Sequence, residues 1–183
     1  MKDMNHNMQN GRKSPVPMSE AMAIVGMALR LPGGICNPID FWTMMAEKRD
    51  GLCDVPPERF NIEAFHDISG RPGTIPMNKG YYLSDIDVRQ FDPSFFSLSK
   101  KELERLDPQQ RQLLEVVYEC MENAGMTSWQ GADLGCYVGA FNEDWQDLNA
   151  KETQHRGGYR VTGYGDFALA NRISYEYDLK GPR

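Results

Sequence analysis

Apolar residues along this chain fall into two patterns. Ala21–Leu29 (AMAIVGMAL) and Leu134–Phe141 (LGCYVGAF) are continuous apolar runs of strand length. A strand covered on both faces reads this way, so both predict buried strands of a mostly parallel sheet. Elsewhere the apolar positions recur with a helical period. Phe41, Trp42, Met44 and Met45 make one apolar face. Leu113, Val117, Cys120, Met121 and Ala124 make a longer stripe, widened by Leu114 and Val116. Phe167, Leu169, Ala170 and Ile173 make a third, beside the small residues Ala168 and Ala170.

Start and stop signals bracket these stripes. Asn37-Pro38 with Asp40 opens the first helix, and Gly51 is expected to end it. Ser99-Lys100-Lys101-Glu102 fits a capping box. Asp107-Pro108 starts the long helix, because Asp caps free amides and Pro suits the first helical position; Gly125 closes it. Gly163 and Gly165 relieve a turn, Asp166 caps the last helix, and Gly181-Pro182 is expected to stop it. That helix is poor in charge up to Asn171, so a further element is expected to lie against it. Residues 52–88 are irregular, with turn signals at Pro56-Pro57, Arg71-Pro72-Gly73 and Asn78-Lys79-Gly80 and a short strand expected at Gly80–Leu83. Phe91–Phe96 (FDPSFF) predicts a turn that places three phenylalanines under the surface. Met1–Ser19 is polar and aperiodic, a disordered leader, and 142–160 is loop-like. The order strand, helix, excursion, helix, strand, loop, helix is that of an α/β domain over 20–183.

Bulk properties remove several function classes. Net charge is −6, which argues against a nucleic-acid footprint. No apolar run approaches the roughly 20 residues that cross a bilayer, and no secretory h-region opens the chain. Cys36, Cys53, Cys120 and Cys136 show no C-x-x-C spacing and read as reduced thiols of a cytoplasmic protein. Cys120 and Cys136 lie on apolar stretches and read as core; Cys36, just before a helix start, is the only thiol with a favourable dipole. His6, His66 and His155 sit in unrelated loops without metal-ligand spacing. Asp85, Asp87 and Asp92 read as turn residues, and Asp107, Glu115, Glu119 and Glu122 as a solvated helix face with Arg111 paired to Glu115. Trp129 and Trp145 read as packing residues. There is no phosphate-binding loop, and the glycines at 163 and 165 lack the strand and acidic residue of a dinucleotide fingerprint. The expectation is therefore no catalytic, cofactor-binding or metal residue in these 183 positions.

Taken in order, several stretches resemble one family. They are Ala23–Ala28 with Arg30-Leu31-Pro32-Gly33-Gly34; Phe41-Trp42; Val55–Phe60; Phe91–Phe96; Asp107–Glu115 (DPQQRQLLE); Glu122–Gly125; Tyr137-Val138-Gly139; and Ala170–Tyr175 (ANRISY) ahead of Gly181-Pro182. Together they look like the N-terminal part of the beta-ketoacyl synthase domain of type I polyketide synthases, most similar to the fungal iterative reducing type. The resemblance implies a thiolase-like fold, present here as its N-terminal half, and a dimeric family. It implies a decarboxylative Claisen condensation of acyl and malonyl units carried on the phosphopantetheine of an acyl carrier protein. In the family, Gly-Pro is followed by Ser, a strand and an Asp-Thr-Ala-Cys-Ser-Ser elbow that carries the nucleophile; here Arg183 stands in the place of that Ser. None of the three histidines lies in a matching motif, so the chain alone is expected to be inactive. The second half of such a fold would bury over about 1,000 Å², on the order of 25 kcal/mol of hydrophobic stabilisation, so a loose or partner-dependent chain is expected. A different class of reading is a non-catalytic interaction protein that binds an intact ketosynthase or a carrier protein.

Overall fold

The longest helix begins where its cap dictates. In the computed structural model, which describes residues 21–141, 144–151, 162–163 and 165–183, the Asp107 carboxylate accepts from the Gln109 amide at 2.7 Å and Pro108 opens a helix over Pro108–Asn123. The expected leader at 1–19, His6, His155 and most of the 142–160 loop lie outside the described residues; the described part of that loop is instead helical over Asp144–Ala150. The other helices are α1 (Pro38–Ala46), α2 (Lys100–Leu103), α4 (Asp144–Ala150) and α5 (Phe167–Glu176), the long one being α3. The far end of α3 closes with Gly125 at φ 70°: its amide bonds Glu122 O at 2.9 Å, and Met126 N bonds Met121 O at 3.1 Å. These two bonds satisfy carbonyls that the helix leaves open.

The core forms where α3 meets α5. Leu114 is fully buried, Ile173 is 2% exposed, and Phe96, Trp129, Tyr177 and Leu179 complete the cluster. Tyr177 and Tyr118 both meet Trp129 edge to face, with centroids 6.1 and 5.5 Å apart. Such pairs contribute about 0.5–1.5 kcal/mol beyond area burial. Tyr177 also donates its hydroxyl to Leu114 O at 2.6 Å, so the same ring fills the core and ties the two helices.

The two apolar runs depart from expectation. Both lie outside any ladder, and the first is not covered: Met22, Ile24 and Val25 are 97%, 83% and 72% exposed. The run meets α3 in its second half, where Gly26 lies against Cys120 and Ala124 and Met27 N donates to Asn123 Oδ1 at 2.9 Å; just past it Arg30 forks onto Glu119, one arm at 2.7 Å. The second run is half-covered. Leu134, Cys136 and Val138 pack on the core cluster, while Tyr137 points out at 80% exposure. A continuous apolar run needs neighbours on both sides, and only one side exists among the described residues. The sheet described is a two-stranded antiparallel ladder of β1 (Cys53–Asp54) and β2 (Lys79–Gly80), pairing Cys53 with Gly80 and Asp54 with Lys79. The strand expected at Gly80–Leu83 thus starts one residue earlier and ends at Gly80.

Two helix ends also differ. α1 stops at Ala46, because Lys48 adopts φ 55° and Arg49 N bonds Met44 O at 3.0 Å; Gly51 lies beyond the end, buried beside Pro32. α5 stops at Glu176, where Asp178 takes φ 51° and Leu179 N bonds Ser174 O at 2.8 Å. Gly181 instead lets two backbones meet: a Cβ there would lie 2.4 Å from the Leu134 carbonyl carbon. Of the three phenylalanines at 91–96, Phe96 is buried, Phe91 is half-buried and Phe95 is 55% exposed. The apolar face of α1 is open, with Trp42 at 75% and Met45 at 61%. Among the described residues, 21 large hydrophobic side chains are exposed against 11 buried hydrophobic ones. Scattered exposure is ordinary; a contiguous apolar patch larger than a few hundred Å² is what marks an interaction surface.

The seat of the first run on α3 can be tested at Gly26. A Cβ there would sit 2.5 Å from Cys120 O and 2.8 Å from Ala124 Cβ. Gly26→Ala is therefore expected to lower unfolding stability by about 1–3 kcal/mol. Urea denaturation followed by circular dichroism measures it; an unchanged midpoint would show that the run is not seated there.

Candidate functional site

The two strongest motifs meet at one side chain. Arg172, in the ANRISY stretch on α5, donates Nε to Oε1 of Gln110 at 2.7 Å, in the DPQQR stretch on α3. Its NH1 group donates to Glu102 Oε1 at 2.9 Å, on α2. Gln110 in turn donates to the carbonyls of Thr162 and Gly163 at 3.1 and 3.2 Å, and Asp107 N bonds Gly163 O at 3.0 Å. Arg172 and Glu102 side chains are only 10% and 20% exposed. A guanidinium suits this position because its planar fork serves several acceptors at once. Leu98, Glu102, Thr162, Phe167, Asn171 and Tyr175 line an adjoining cavity of about 500 Å³.

Local sequence explains the placement. Ser99 caps α2 by accepting from Glu102 N at 3.3 Å, as the capping box predicts. The Glu102 carboxylate, however, binds Arg172 across the fold. Gln110 and Glu102 were not singled out from sequence as polar partners, and the missed signal was Arg172 itself, the one basic residue between Asp166 and Asp178.

A second polar group surrounds the first turns of α3. Arg30 binds Glu119, which holds its guanidinium above the usual range. Burial raises the Glu115 and Asp107 carboxyls and lowers Arg111. The ion pair expected between Arg111 and Glu115 is replaced: Arg111 NH1 reaches Arg89 O at 3.5 Å. Arg30, Asp85, Asp87, Arg89, Asp92 and Glu115 border one open basin of about 720 Å³. Asp87 and Asp92 act in turns, as expected. Asp87 accepts from Arg89 N at 3.0 Å and Asp92 from Ser94 N at 2.9 Å.

The remaining candidates stay apart. All four thiols are free; Cys36 is exposed, and burial raises Cys136, the wrong direction for a nucleophile. His66 sits in a bridge with Ile75. Trp129 packs in the core, as expected, and Trp145 donates to Arg105 O at 3.1 Å. Among the described residues no group of metal-ligating side chains converges, and no helix is long and apolar enough to cross a membrane. The arrangement can hold helices together and shape a surface.

The solved structures that this chain superposes on are ketosynthase domains, and the chain is a segment of their thiolase-like α/β fold. The profile "Beta-ketoacyl synthase, N-terminal domain" matches residues 19–183, and the chain belongs to that family. It is 69% identical over 165 residues to the highly reducing polyketide synthase lcsB of Purpureocillium lilacinum, covering 90% of this chain and 7% of that protein. It is 58% identical over 175 residues to gloL of Glarea lozoyensis, a protein of the same description, covering 94% and 7%. Among solved structures, the ketosynthase domain OzmH KS7 of Streptomyces albus superposes with a TM-score of 0.68 at 34% identity, covering 87% of this chain and 28% of that one. A ketosynthase of the bacillaene synthase of Bacillus subtilis gives 0.67 at 27% identity, covering 87% and 25%. The chain thus spans about 7% of the length of these curated relatives.

Two substitutions probe the joint. Arg172→Met leaves Glu102 without its cation and is expected to cost about 3 kcal/mol, with Glu102→Gln restoring part of it in the double variant. Additive losses in that cycle would show that the two groups do not interact. For Tyr177, burial raises the phenol above its ordinary value. The neutral form is the one the fold favours, so its contribution is complete below about pH 10 and fades as pH rises further. Tyr177→Phe is expected to cost about 1 kcal/mol at neutral pH and to flatten the loss of stability above about pH 10. Parallel alkaline slopes for the two proteins would refute the assignment.

Proposed function

We propose that these residues form the N-terminal scaffold of a ketosynthase domain in a polyketide synthase of the highly reducing type. The reaction served is decarboxylative Claisen condensation of acyl and malonyl units, delivered on the phosphopantetheine arm of an acyl carrier protein to a cytoplasmic, dimeric synthase. Residues 20–183 make up the domain portion and 1–19 a polar leader. The observation that carries the reading is the joint itself: DPQQR and ANRISY, far apart in sequence, share the Arg172–Gln110 bond.

Within the scaffold, the chain's own residues position rather than react. Arg172 and Gln110 fix the carbonyls at 162 and 163 against the start of α3, and Arg30 fixes the first run against its far half. No catalytic role is assigned to any of the 183 residues. None of the four thiols stands in an Asp-Thr-Ala-Cys-Ser-Ser context. The isolated chain is therefore proposed not to condense, since covalent catalysis needs an activated nucleophile.

Exchange tests the reading. Residues 19–183 replace the matched segment of the Purpureocillium relative in the full synthase, which is expected to keep the product of its parent. The same chimera carrying Arg172→Met is expected to lose most activity. The isolated chain, given acyl- and malonyl-carrier protein, is expected to yield no condensation product and no acyl adduct by mass spectrometry. An inactive chimera that folds, or a product from the isolated chain, overturns the proposal.

A further inference from the structure

We propose that the recess between α3 and the turn at 91–96 is a binding site for an arginine side chain of a partner polypeptide, whose guanidinium lies against Phe95 and Tyr118 and donates to Glu115.

The recess is built from two stretches. Glu115, Tyr118 and Glu119 share one face of α3 at three- and four-residue spacing, and Asp92, Phe95 and Phe96 come from the turn. Together they line a space of about 250 Å³. Phe95 is held from two sides: its ring meets Phe96 at 5.1 Å and Tyr118 at 4.7 Å, both edge to face. It is nevertheless 55% exposed. A single exposed phenylalanine is ordinary, but a ring fixed in this way presents its π surface at a defined place beside carboxylates.

Charge completes the site. Both oxygens of Glu119 are taken by Arg30, and Asp92 accepts from the amide and the hydroxyl of Ser94 through Oδ1 alone. Glu115 is different. Its half-buried carboxylate accepts no hydrogen bond among the described residues, since Arg111, one turn before it, donates to Arg89 O instead. Burial disfavours its ionised form, as do the charges of Glu119 and Asp92, while Arg30 and Arg111 act against them without bonding to it. Asp92 and Glu115 also border the open basin described above. Across the two spaces five carboxylates, those of Asp85, Asp87, Asp92, Glu115 and Glu119, stand against the guanidiniums of Arg30 and Arg89.

The chemistry of the lining selects the occupant. Among the described residues no group of acids converges as a metal ion requires. A cation that uses rings and one carboxylate together does fit, because cations are drawn to aromatic faces within about 6 Å of the ring centre. A guanidinium also stacks flat, forks onto a carboxylate and sheds water more readily than an ammonium, so arginine fits better than lysine. A recess of this size holds one such head and its stem, and flanking basic residues then meet the acids of the basin. A free small cation lacks those flanks.

The test titrates the 183-residue chain with acetyl-Lys-Arg-Lys-amide and follows the ring signals of Phe95, Phe96 and Tyr118 by NMR. Saturable shifts at these rings are expected. Affinity is expected to be about threefold above that for acetyl-Lys-Lys-Lys-amide and about tenfold above that for ethylguanidinium. Glu115→Gln and Phe95→Leu are each expected to weaken binding about fivefold with circular dichroism unchanged. Glu58→Gln removes an exposed acid outside the recess and is expected to leave binding as it was. Equal binding of the tri-lysine peptide, unmoved ring signals, or unaltered affinity in both recess variants overturns the site. Equal affinity for ethylguanidinium overturns the polypeptide as its ligand.

Discussion

One guanidinium decides how the described elements sit together. Arg172 leaves a charge-poor helix, crosses to α3 through Gln110, and reaches α2 through Glu102. A cation at 10% exposure costs several kcal/mol to desolvate unless its acceptors are in place. The cost makes the joint discriminating: α5 cannot shift along α3 by a turn without parting Arg172 from both Gln110 and Glu102. The Tyr177–Leu114 bond and the rings around Trp129 then pack against a geometry that the polar contact has already specified.

That dependence explains what the sequence revealed and what it concealed. Helix starts were legible because caps act locally: Asn37, Ser99, Asp107 and Asp166 each accept an amide within a few residues. Helix ends were less legible. Lys48 and Asp178 take the left-handed position that a glycine ordinarily fills, so the stop signals at Gly51 and Gly181 were sought too late. The strand character of 21–29 was readable as an apolar run, but its burial was not a local property and depended on neighbours that the described residues do not provide. The Arg172 partners were concealed because Glu102 fitted a local capping rule, and local rules do not register a contact 70 residues away.

The family's motifs divide by the same logic. DPQQR and ANRISY are positions where a side chain must be one residue type to satisfy a contact inside this portion of the fold. The stretch at 30–34 behaves likewise, since Arg30 has Glu119 to meet. Asp87 and Asp92 beside the basin are engaged in turns, and burial raises the Glu115 and Asp107 carboxyls of α3 and its cap. In this portion of the fold the signature reports scaffold: Gln110 and Arg172 meet each other across α3 and α5.

The exposed apolar runs then have a physical meaning of their own. Burying a single Ile, Val or Met contributes about 1.5–3 kcal/mol, and Met22, Ile24 and Val25 stand open together. A domain's net stability is only about 5–15 kcal/mol, so leaving such a set in water is a large fraction of it. The polar joint specifies how the helices meet, while much of the free energy that would hold the whole depends on surface still open. Specificity and apolar burial are therefore separable in this chain: the first resides in Arg172 and its acceptors, while the apolar side chains of Met22, Ile24 and Val25 contribute little to the second among the described residues.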